Sequence, residues 1–144
     1  METLMPRSGS PVLDAAGTSP SVTDARGQPR NTDGTGNGIA LADIGAVEFN
    51  PVFVQNLNAS GPGSLRDVVA GSVGDAVMFL PSLNGGTIVL DGENIPLTQD
   101  MVIDATGLPN RITISGNSNG DGVWQEGESR IFITTSNTRV TLRG

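Results

Sequence analysis

The stretch that decides the fold opens with Ser64-Leu65-Arg66-Asp67-Val68-Val69-Ala70 and continues to Arg143. After this opening, it consists of short runs rich in β-branched and aliphatic residues, separated by Gly, Asn, Asp or Pro. Short runs of this kind, bounded by turn-forming residues, are typical of β-strands. The predicted strands are residues 76–80, 87–90, 101–103, 111–114, 130–134 and 138–142, and a first strand is predicted within residues 51–57.

A short helix is predicted to begin after Ser64. The Ser64 hydroxyl can accept a hydrogen bond at the helix N-cap, and Asp67, three positions later, completes a capping-box pattern. Leu65, Val68 and Val69 fall on one helical face. An apolar stripe this short cannot form a helix bundle, but it can cover the open end of a stack of strands.

The spacing of the predicted strands favours a solenoid. Their central residues follow one another at short and irregular intervals, and the longest interval, from Ile112 to Ile131, leaves room for an insertion. Such intervals fit an all-β chain with several faces in each turn of a parallel β-helix. A β-sandwich is the alternative, since its strands also recur at short intervals. The central residues used for this comparison are Val77, Ile88, Val102, Ile112 and Ile131.

Composition restricts the function. A hydrophobic content of 36% with only 3% aromatics predicts a narrow aliphatic core. The net charge of −7, with no Lys, argues against nucleic acid as a partner. The absence of Cys and His excludes disulfides, thiolate metal sites and an imidazole proton shuttle. No apolar run is long enough to cross a bilayer as a helix, so no membrane-spanning segment is expected.

Residues 54–67 carry a family resemblance. They are similar to the N-terminal cap of bacterial right-handed parallel β-helix surface proteins, which include polymorphic outer-membrane-like proteins with a Ser-Leu-Arg cap. Residues 74–79 and 112–117 also match that pattern. The resemblance implies that residues 51–144 form the cap and first turns of a right-handed parallel β-helix, exported and displayed on a bacterial surface.

Three segments near the start of the chain carry a second resemblance. Residues 10–15, 23–30 and 43–49 resemble the module that closes many bacterial surface β-helix proteins. Residues 1–50 are therefore expected to close a preceding β-helix, with Asp and Arg side chains bracing the loops through charge-assisted hydrogen bonds. The apolar residues that would seal the last turn of that helix are Val12, Leu13, Ile44, Val47 and Phe49.

Four acidic residues in this region invite a catalytic interpretation. Asp14, Asp24, Asp43 and Glu48 could supply paired carboxylates, but a hydrolase needs two of them facing a cleft. Acidic side chains are more often solvated or paired, so loop bracing is the favoured interpretation. The glycine-rich residues 31–38 lack the Gly-Lys-Ser/Thr ending of a phosphate-binding loop and predict a surface turn.

The interval between residues 117 and 128 predicts a calcium site. Counted from Asn117, oxygen-bearing side chains fall at places 1, 3 and 5, glycine at 6 and a carboxylate at 12, which is the spacing of an EF-hand-type loop. Asparagine at place 1, where aspartate is usual, predicts weak binding, with a Kd on the order of 10⁻⁴–10⁻³ M. The alternative is an Asn/Gly-rich turn with Trp124 packed on the solenoid wall. The predicted ligands are Asn117, Asn119, Asp121, Val123, Gln125 and Glu128.

These features predict a structural or adhesive segment of a secreted bacterial surface protein, stiffened by calcium and without intrinsic catalysis. One alternative is a carbohydrate-binding module. Another is a fragment of a polysaccharide lyase or glycoside hydrolase, for which Arg130 is the nearest candidate base. Expected partners are cell-surface glycans, other surface proteins, and further chain or another copy at the uncapped C-terminal end. The expected location is extracellular or on the bacterial cell surface, as part of a longer exported protein.

Overall fold

The computed structural model describes residues 3–72, 74–123, 125–128 and 130–144. This part of the chain consists mainly of short strands and irregular segments, with one α-helix, and the strands pair in parallel. The chain divides into two compact units, Met1–Pro51 (unit 1) and Val52–Gly144 (unit 2). The assignment of either unit to a known module stays a prediction.

Unit 2 contains all the regular elements of the described residues. The α-helix, α1, spans Leu65–Gly71, and a single 3₁₀ turn spans Pro81–Leu83. The predicted strands are confirmed in position, and most are shorter than expected, whereas the strand expected at residues 101–103 extends to Asp104. They are β1 (Val52–Val54), β2 (Val77–Phe79), β3 (Thr87–Val89), β4 (Ile95–Leu97), β5 (Met101–Asp104), β6 (Thr113–Ser115), β7 (Phe132–Thr134) and β8 (Val140–Arg143), of which β4 was not expected.

The strands form three parallel sheets. One has the order β1-β2-β5-β8, and the other two are the pairs β3-β6 and β4-β7. Paired residues are 25 positions apart between β1 and β2, and 26 apart between β2 and β5 and between β3 and β6. The separation rises to 37 between β4 and β7 and to 39 between β5 and β8, and residues 117–128 lie within both intervals. Representative partners are Val52 and Val77, Val77 and Ile103, Thr87 and Thr113, Ile95 and Phe132, and Met101 and Val140.

Aliphatic side chains from successive strands form the core of unit 2. Alternate residues of β3 and β4 point inward, which leaves Thr87 and Val89 exposed on either side of the buried Ile88. Burying one such side chain contributes roughly 1.5–3 kcal/mol before the loss of conformational entropy. The fully buried members are Val54, Leu65, Val77, Ile88, Leu90, Ile95 and Leu97.

Helix α1 forms as the sequence predicts. The Ser64 hydroxyl accepts a hydrogen bond from the Asp67 amide at 3.2 Å, and the Asp67 carboxylate accepts one from the amide of Gly63 at 2.8 Å instead of from Ser64. Leu65 and Val69 are buried, and the helix packs against β1 and β4. In the described part of the chain, no helix has the length and apolar character that crossing a membrane requires.

Strand β4 was missed because its centre is Pro96. Proline lacks an N–H and is usually excluded from the middle of a sheet. Here the amide of Ile95 donates to the carbonyl of Ile131, and the carbonyl of Leu97 accepts from Thr135, so the residues on either side of Pro96 point toward β7. The backbone of Pro96 therefore faces the opposite, unpaired side of β4, so its missing N–H removes no hydrogen bond between the strands.

Unit 1 has a different construction. Its described residues contain no helix or strand, and three isolated antiparallel bridges link its loops. Leu13, Val47 and Phe49, three of the apolar residues predicted to seal a β-helix turn, are buried inside the unit. Ile44 is 55% exposed, since it lies on a turn whose two neighbouring carbonyls are held by Arg30.

Candidate functional site

The predicted calcium loop lies between β6 and β7. Gly122, at the sixth place, has a φ of +76°, a conformation that side-chain-bearing residues rarely adopt. A glycine is therefore favoured at the sixth place, as the loop pattern has it. The loop is bounded by strands on both sides, as expected from the absence of flanking helix signals.

The first three predicted ligands shape the loop through their own oxygens. Oδ1 of Asn117 accepts a hydrogen bond from Gly120 at 2.9 Å, and Oδ1 of Asn119 accepts one from Asp121 at 3.0 Å. Oδ1 of Asp121 accepts one from the amide of Val123 at 2.8 Å. An amide or carboxylate oxygen has two lone pairs, so each of these atoms retains acceptor capacity for a cation.

Glu128 is the predicted ligand that most needs a partner. Its Oε2 accepts a hydrogen bond from the amide of Gln125 at 2.9 Å, whereas its Oε1 is buried and has no hydrogen-bond partner among the described residues. Glu128 lines an open cleft of about 340 Å³ together with Asn117, Gly122, Val123, Arg130 and Ile131. A buried carboxylate oxygen without a donor is costly, and a bound cation would compensate it.

Other contacts in the loop weaken the fit to a cation. The side-chain amides of Asn119 and Gln125 both donate to Oδ2 of Asp121, and Arg130 brings a positive charge to the same cleft as Glu128. Within residues 3–72, 74–123, 125–128 and 130–144, no three acidic side chains converge as a metal site. Among the predicted ligands, Asn117, Val123 and Glu128 share the cleft, while Asn119, Asp121 and Gln125 are exposed and do not line it. The predicted packing of Trp124 falls outside the described residues.

In unit 1, the Asp24 carboxylate links its own turn to the segment at Glu48. Its carboxylate accepts hydrogen bonds from the amides of Arg26 at 2.7 Å, Gln28 at 3.0 Å and Glu48 at 3.0 Å, and from Nε of Arg26 at 3.0 Å. Burial alone would raise the pKa of Asp24, but these hydrogen bonds outweigh it and lower the pKa to about 2.

Asp43 and Glu48 form the buried centre of the same network. The Asp43 carboxylate accepts hydrogen bonds from the amides of Asp14 and Phe49, both at 2.8 Å, and the Glu48 carboxylate accepts from the amide of Asp43 at 3.2 Å. Nε of Arg30 lies 3.7 Å from Glu48. Burial raises the pKa of Glu48, and the negative charge of Asp43 raises it further. Because both carboxylates are fully buried, they fit loop bracing and leave no surface for a substrate.

The glycine-rich loop of unit 1 closes on one carboxylate. Asp33 accepts hydrogen bonds from the amides of Gly36 at 2.7 Å, Asn37 at 3.1 Å and Gly38 at 2.7 Å. In a phosphate-binding loop, backbone amides such as these would donate to a phosphate. Here they donate to the carboxylate of Asp33 instead. The predicted surface turn is confirmed.

Arg66 is the contact that sequence reasoning missed. Its guanidinium donates to the carbonyls of Ala59 at 3.2 Å, Glu93 at 2.7 Å and Asn94, and it lies 3.3 Å from the Asp91 carboxylate. It therefore ties α1 to the turn that precedes β4. The only sequence signal for Arg66 was its position in the Ser-Leu-Arg triplet. That position does not show that Arg66 contacts residues 91–94, which are more than 20 positions away.

Comparison of the chain with protein-family models, with curated proteins and with solved structures finds no match.

Proposed function

We propose that unit 2 is the start of a right-handed parallel β-helix and that the chain is a structural or adhesive segment of a secreted bacterial surface protein. The observation that carries this proposal is the repeat in strand pairing. Three strand pairs in two different sheets share nearly the same separation, 25 or 26 positions along the chain. A coil of constant length, stacked on the next, produces such a repeat.

The two longer separations fit the same coil. At 37 and 39 positions, both exceed the repeat by a similar amount, and both intervals contain the stretch 117–128. One loop inserted between β6 and β7 would lengthen both without disturbing the stacking. Insertions in solenoids commonly leave the coil as surface loops.

In this proposal, helix α1 is the cap of the coil. It packs against β1 and β4, each the first strand of its sheet, and buries Leu65 and Val69. A cap prevents the first strands from offering a bare edge and an open core to other chains. The location of the protein on a bacterial surface rests on the resemblance of residues 54–67.

The coil is tested by distances between nitroxide spin labels. The chain has no Cys, so introduced cysteines can be labelled without background. Thr87 and Thr113 are both exposed and are paired in register, and their labels should show strong dipolar broadening. The matched pair Thr87 and Thr134, on strands of different sheets, should show much less. Equal broadening in the two pairs would contradict the coil.

We also propose that the loop 117–128 binds calcium weakly and stiffens the insertion. Val123 would contribute its carbonyl oxygen, Glu128 a carboxylate that gains a partner for Oε1, and Asn117 its side-chain oxygen. Calorimetry and thermal unfolding at millimolar calcium should show binding in the native chain and none in Glu128→Ala. Glu126→Ala, a neighbouring exposed acid outside the ligand pattern, is the matched control and should bind normally. The absence of heat and of a thermal shift in the native chain would eliminate the site.

One observation bears on the lyase alternative. Arg130, its candidate base, lines the same cleft as Glu128. Incubating the protein with polygalacturonate and calcium, and measuring unsaturated products, separates this alternative from a scaffold. We expect no product, and product that disappears in Arg130→Ala would establish the lyase.

A further inference from the structure

The turn between β3 and β4, residues 91–94, is held by helix α1. The guanidinium of Arg66 donates to the carbonyls of Glu93, at 2.7 Å, and Asn94. It also lies 3.3 Å from the carboxylate of Asp91. One rigid, planar group therefore contacts three of the four residues of this turn. A movement of α1 away from the turn would have to break these contacts together.

The remaining residue of the turn, Gly92, contacts the loop 117–128. Gly92 has a φ of +89°, and the carbonyl oxygen of Gly127 lies 3.1 Å from the position that a Cβ atom on Gly92 would occupy. Side-chain carbons rarely come so close to a backbone oxygen, so the turn and the loop can touch here only because Gly92 has no side chain. The loop therefore packs against the same turn that Arg66 holds.

This contact lies beside the proposed calcium ligand Glu128. The amide of Glu128 donates to the carbonyl of Gln125 at 3.2 Å, and the amide of Gln125 donates to Oε2 of Glu128 at 2.9 Å. Gly127 lies within the turn that these two hydrogen bonds close. Its contact with Gly92 therefore helps to fix the position of the Glu128 carboxylate, whose Oε1 is buried without a hydrogen-bond partner among the described residues.

The sheet also keeps the turn 91–94 and the end of the loop side by side. Strand β4 follows the turn, β7 follows the loop, and the two strands pair with each other in parallel. The amide of Ile95 donates to the carbonyl of Ile131 at 3.0 Å. Because the two segments are restrained at their ends and touch at Gly92, a change that orders one of them should order the other.

We propose that calcium bound by the loop 117–128 stabilises helix α1 through the contact between Gly127 and Gly92, so that the cation keeps the cap in place. The inference rests on the proposed calcium site and gives it a regulatory role. Because energetic coupling between two sites is reciprocal, the contacts of Arg66 should in turn raise the affinity of the loop for calcium. Arg66 and Gly92 are thus positioning residues for the Glu128 carboxylate.

Amide hydrogen exchange of the full chain, with and without calcium, measures this coupling. The reporter is the amide of Val68, which donates to the carbonyl of Ser64 in α1 at 3.0 Å, and the reference is the amide of Met101, which donates to Arg139 at 3.1 Å. At free calcium about tenfold above Kd, complete coupling would slow exchange at the reporter by up to about elevenfold. We expect roughly threefold or more at Val68 and no comparable change at Met101.

Gly92→Ala breaks the contact, because the added Cβ meets the Gly127 carbonyl and the backbone φ is unfavourable for alanine. It should weaken calcium binding by roughly threefold or more and abolish the effect of calcium on Val68. The matched control is Gly85→Ala, in the turn before β3, where φ is +71° and a Cβ meets only Asn110 at 3.5 Å. This variant should bind calcium, and slow exchange at Val68, as the native chain does.

Arg66→Ala removes the other link and should weaken calcium binding by a similar factor. When Arg66→Ala is combined with Gly92→Ala, the loss of affinity should not exceed that of the larger single change, because both act through one path. Native affinity in Arg66→Ala, or losses that multiply in the double variant, would contradict this path.

The native chain alone already separates the two proposals. Calcium binding without slower exchange at Val68, or with equal slowing at Met101, would overturn the coupling and leave the calcium site intact. Calcium binding as tight in Gly92→Ala as in Gly85→Ala would eliminate the role of the contact. Absence of calcium binding by the native chain would overturn both the site and this inference.

Discussion

Unit 1 and unit 2 are folded by different forces. The centre of unit 1 is a set of buried carboxylates, Asp24, Asp43 and Glu48, whose oxygens replace the backbone pairing that a sheet would supply. The centre of unit 2 is a column of aliphatic side chains between parallel strands. A loop-rich segment can therefore be compact without regular elements when buried carboxylates accept hydrogen bonds from its amides. The stability of such a segment should depend on pH, whereas the stability of an aliphatic core should not.

The largest expected effect is the loss of a core side chain in unit 2. Ile88→Ala removes a fully buried side chain and should cost about 2–5 kcal/mol of unfolding free energy, independent of pH. Val89→Ala, the adjacent exposed residue on β3, should cost much less. Urea unfolding at pH 5 and pH 7 measures both, and similar losses for the two variants would show that β3 does not face a core.

In unit 1, the matching change is Asp43→Ala. It leaves the buried amide of Phe49 and the partly buried amide of Asp14 without an acceptor, which should cost roughly 2–4 kcal/mol. Asp43→Asn keeps one acceptor oxygen and should cost less. Hydrogen exchange of residues 10–50 measures the loss, and exchange of unit 2 serves as the internal reference. A loss no greater for Ala than for Asn would contradict the bracing role of Asp43.

A smaller effect is expected for Arg66, where a polar contact supports the apolar unit. Arg66→Ala removes hydrogen bonds to Glu93 and Asn94 and should cost about 1–2 kcal/mol, since the guanidinium is only partly exposed. Arg66→Lys keeps the charge but cannot reach several carbonyls at once, so it should recover only part of the loss. Thermal unfolding compares the two variants, and full recovery by Lys would show that charge alone matters.

The helix and most strands of unit 2 could be predicted from the sequence. Short β-branched runs and turn residues located seven strands, because periodicity is local, and Ser64 with Asp67 located the helix. Strand β4 could not be predicted because it contains Pro96. A proline is tolerated in a strand when its backbone faces the unpaired side, and the sequence does not show which side that is. Local sequence patterns therefore predicted the helix and seven strands, and only the pairing of β4 with β7 explained the eighth.

Contacts between distant parts of the chain could not be predicted. Arg66 meets Glu93, and Asp24 meets the amide of Glu48, across long intervals of sequence, and composition alone cannot identify such pairs. In the calcium-like loop, the left-handed backbone at the sixth place is compatible with the glycine found there, which is a local signal. The position of Arg130 in the same cleft as the proposed carboxylate ligand required coordinates.

The smallest expected effect is a change in pH dependence in unit 1. The raised pKa of Glu48 means that its protonated form stabilises the fold. This contribution is complete below the pKa of an unfolded glutamate, about 4.3, and is lost as pH rises through the higher folded pKa. Glu48→Gln should therefore reduce the loss of stability of unit 1 as pH rises above about 4, measured by urea unfolding. If the unfolding free energy of Glu48→Gln changed with pH as steeply as that of the native chain, burial would not destabilise the charged form of Glu48.

The difference between the units is tested most directly by amide hydrogen exchange at pH 7, 5 and 2, corrected for intrinsic rates. The lowered pKa of Asp24 contributes stability above about pH 4 that is lost as pH falls toward 2. We predict that the amides of Gln28 and Glu48, which donate to Asp24, lose protection at pH 2, while the strand-bound amides of Leu80 and Leu90 retain theirs. Loss of protection at the same pH in both pairs of amides would contradict the account, because it would mean that one force holds both units.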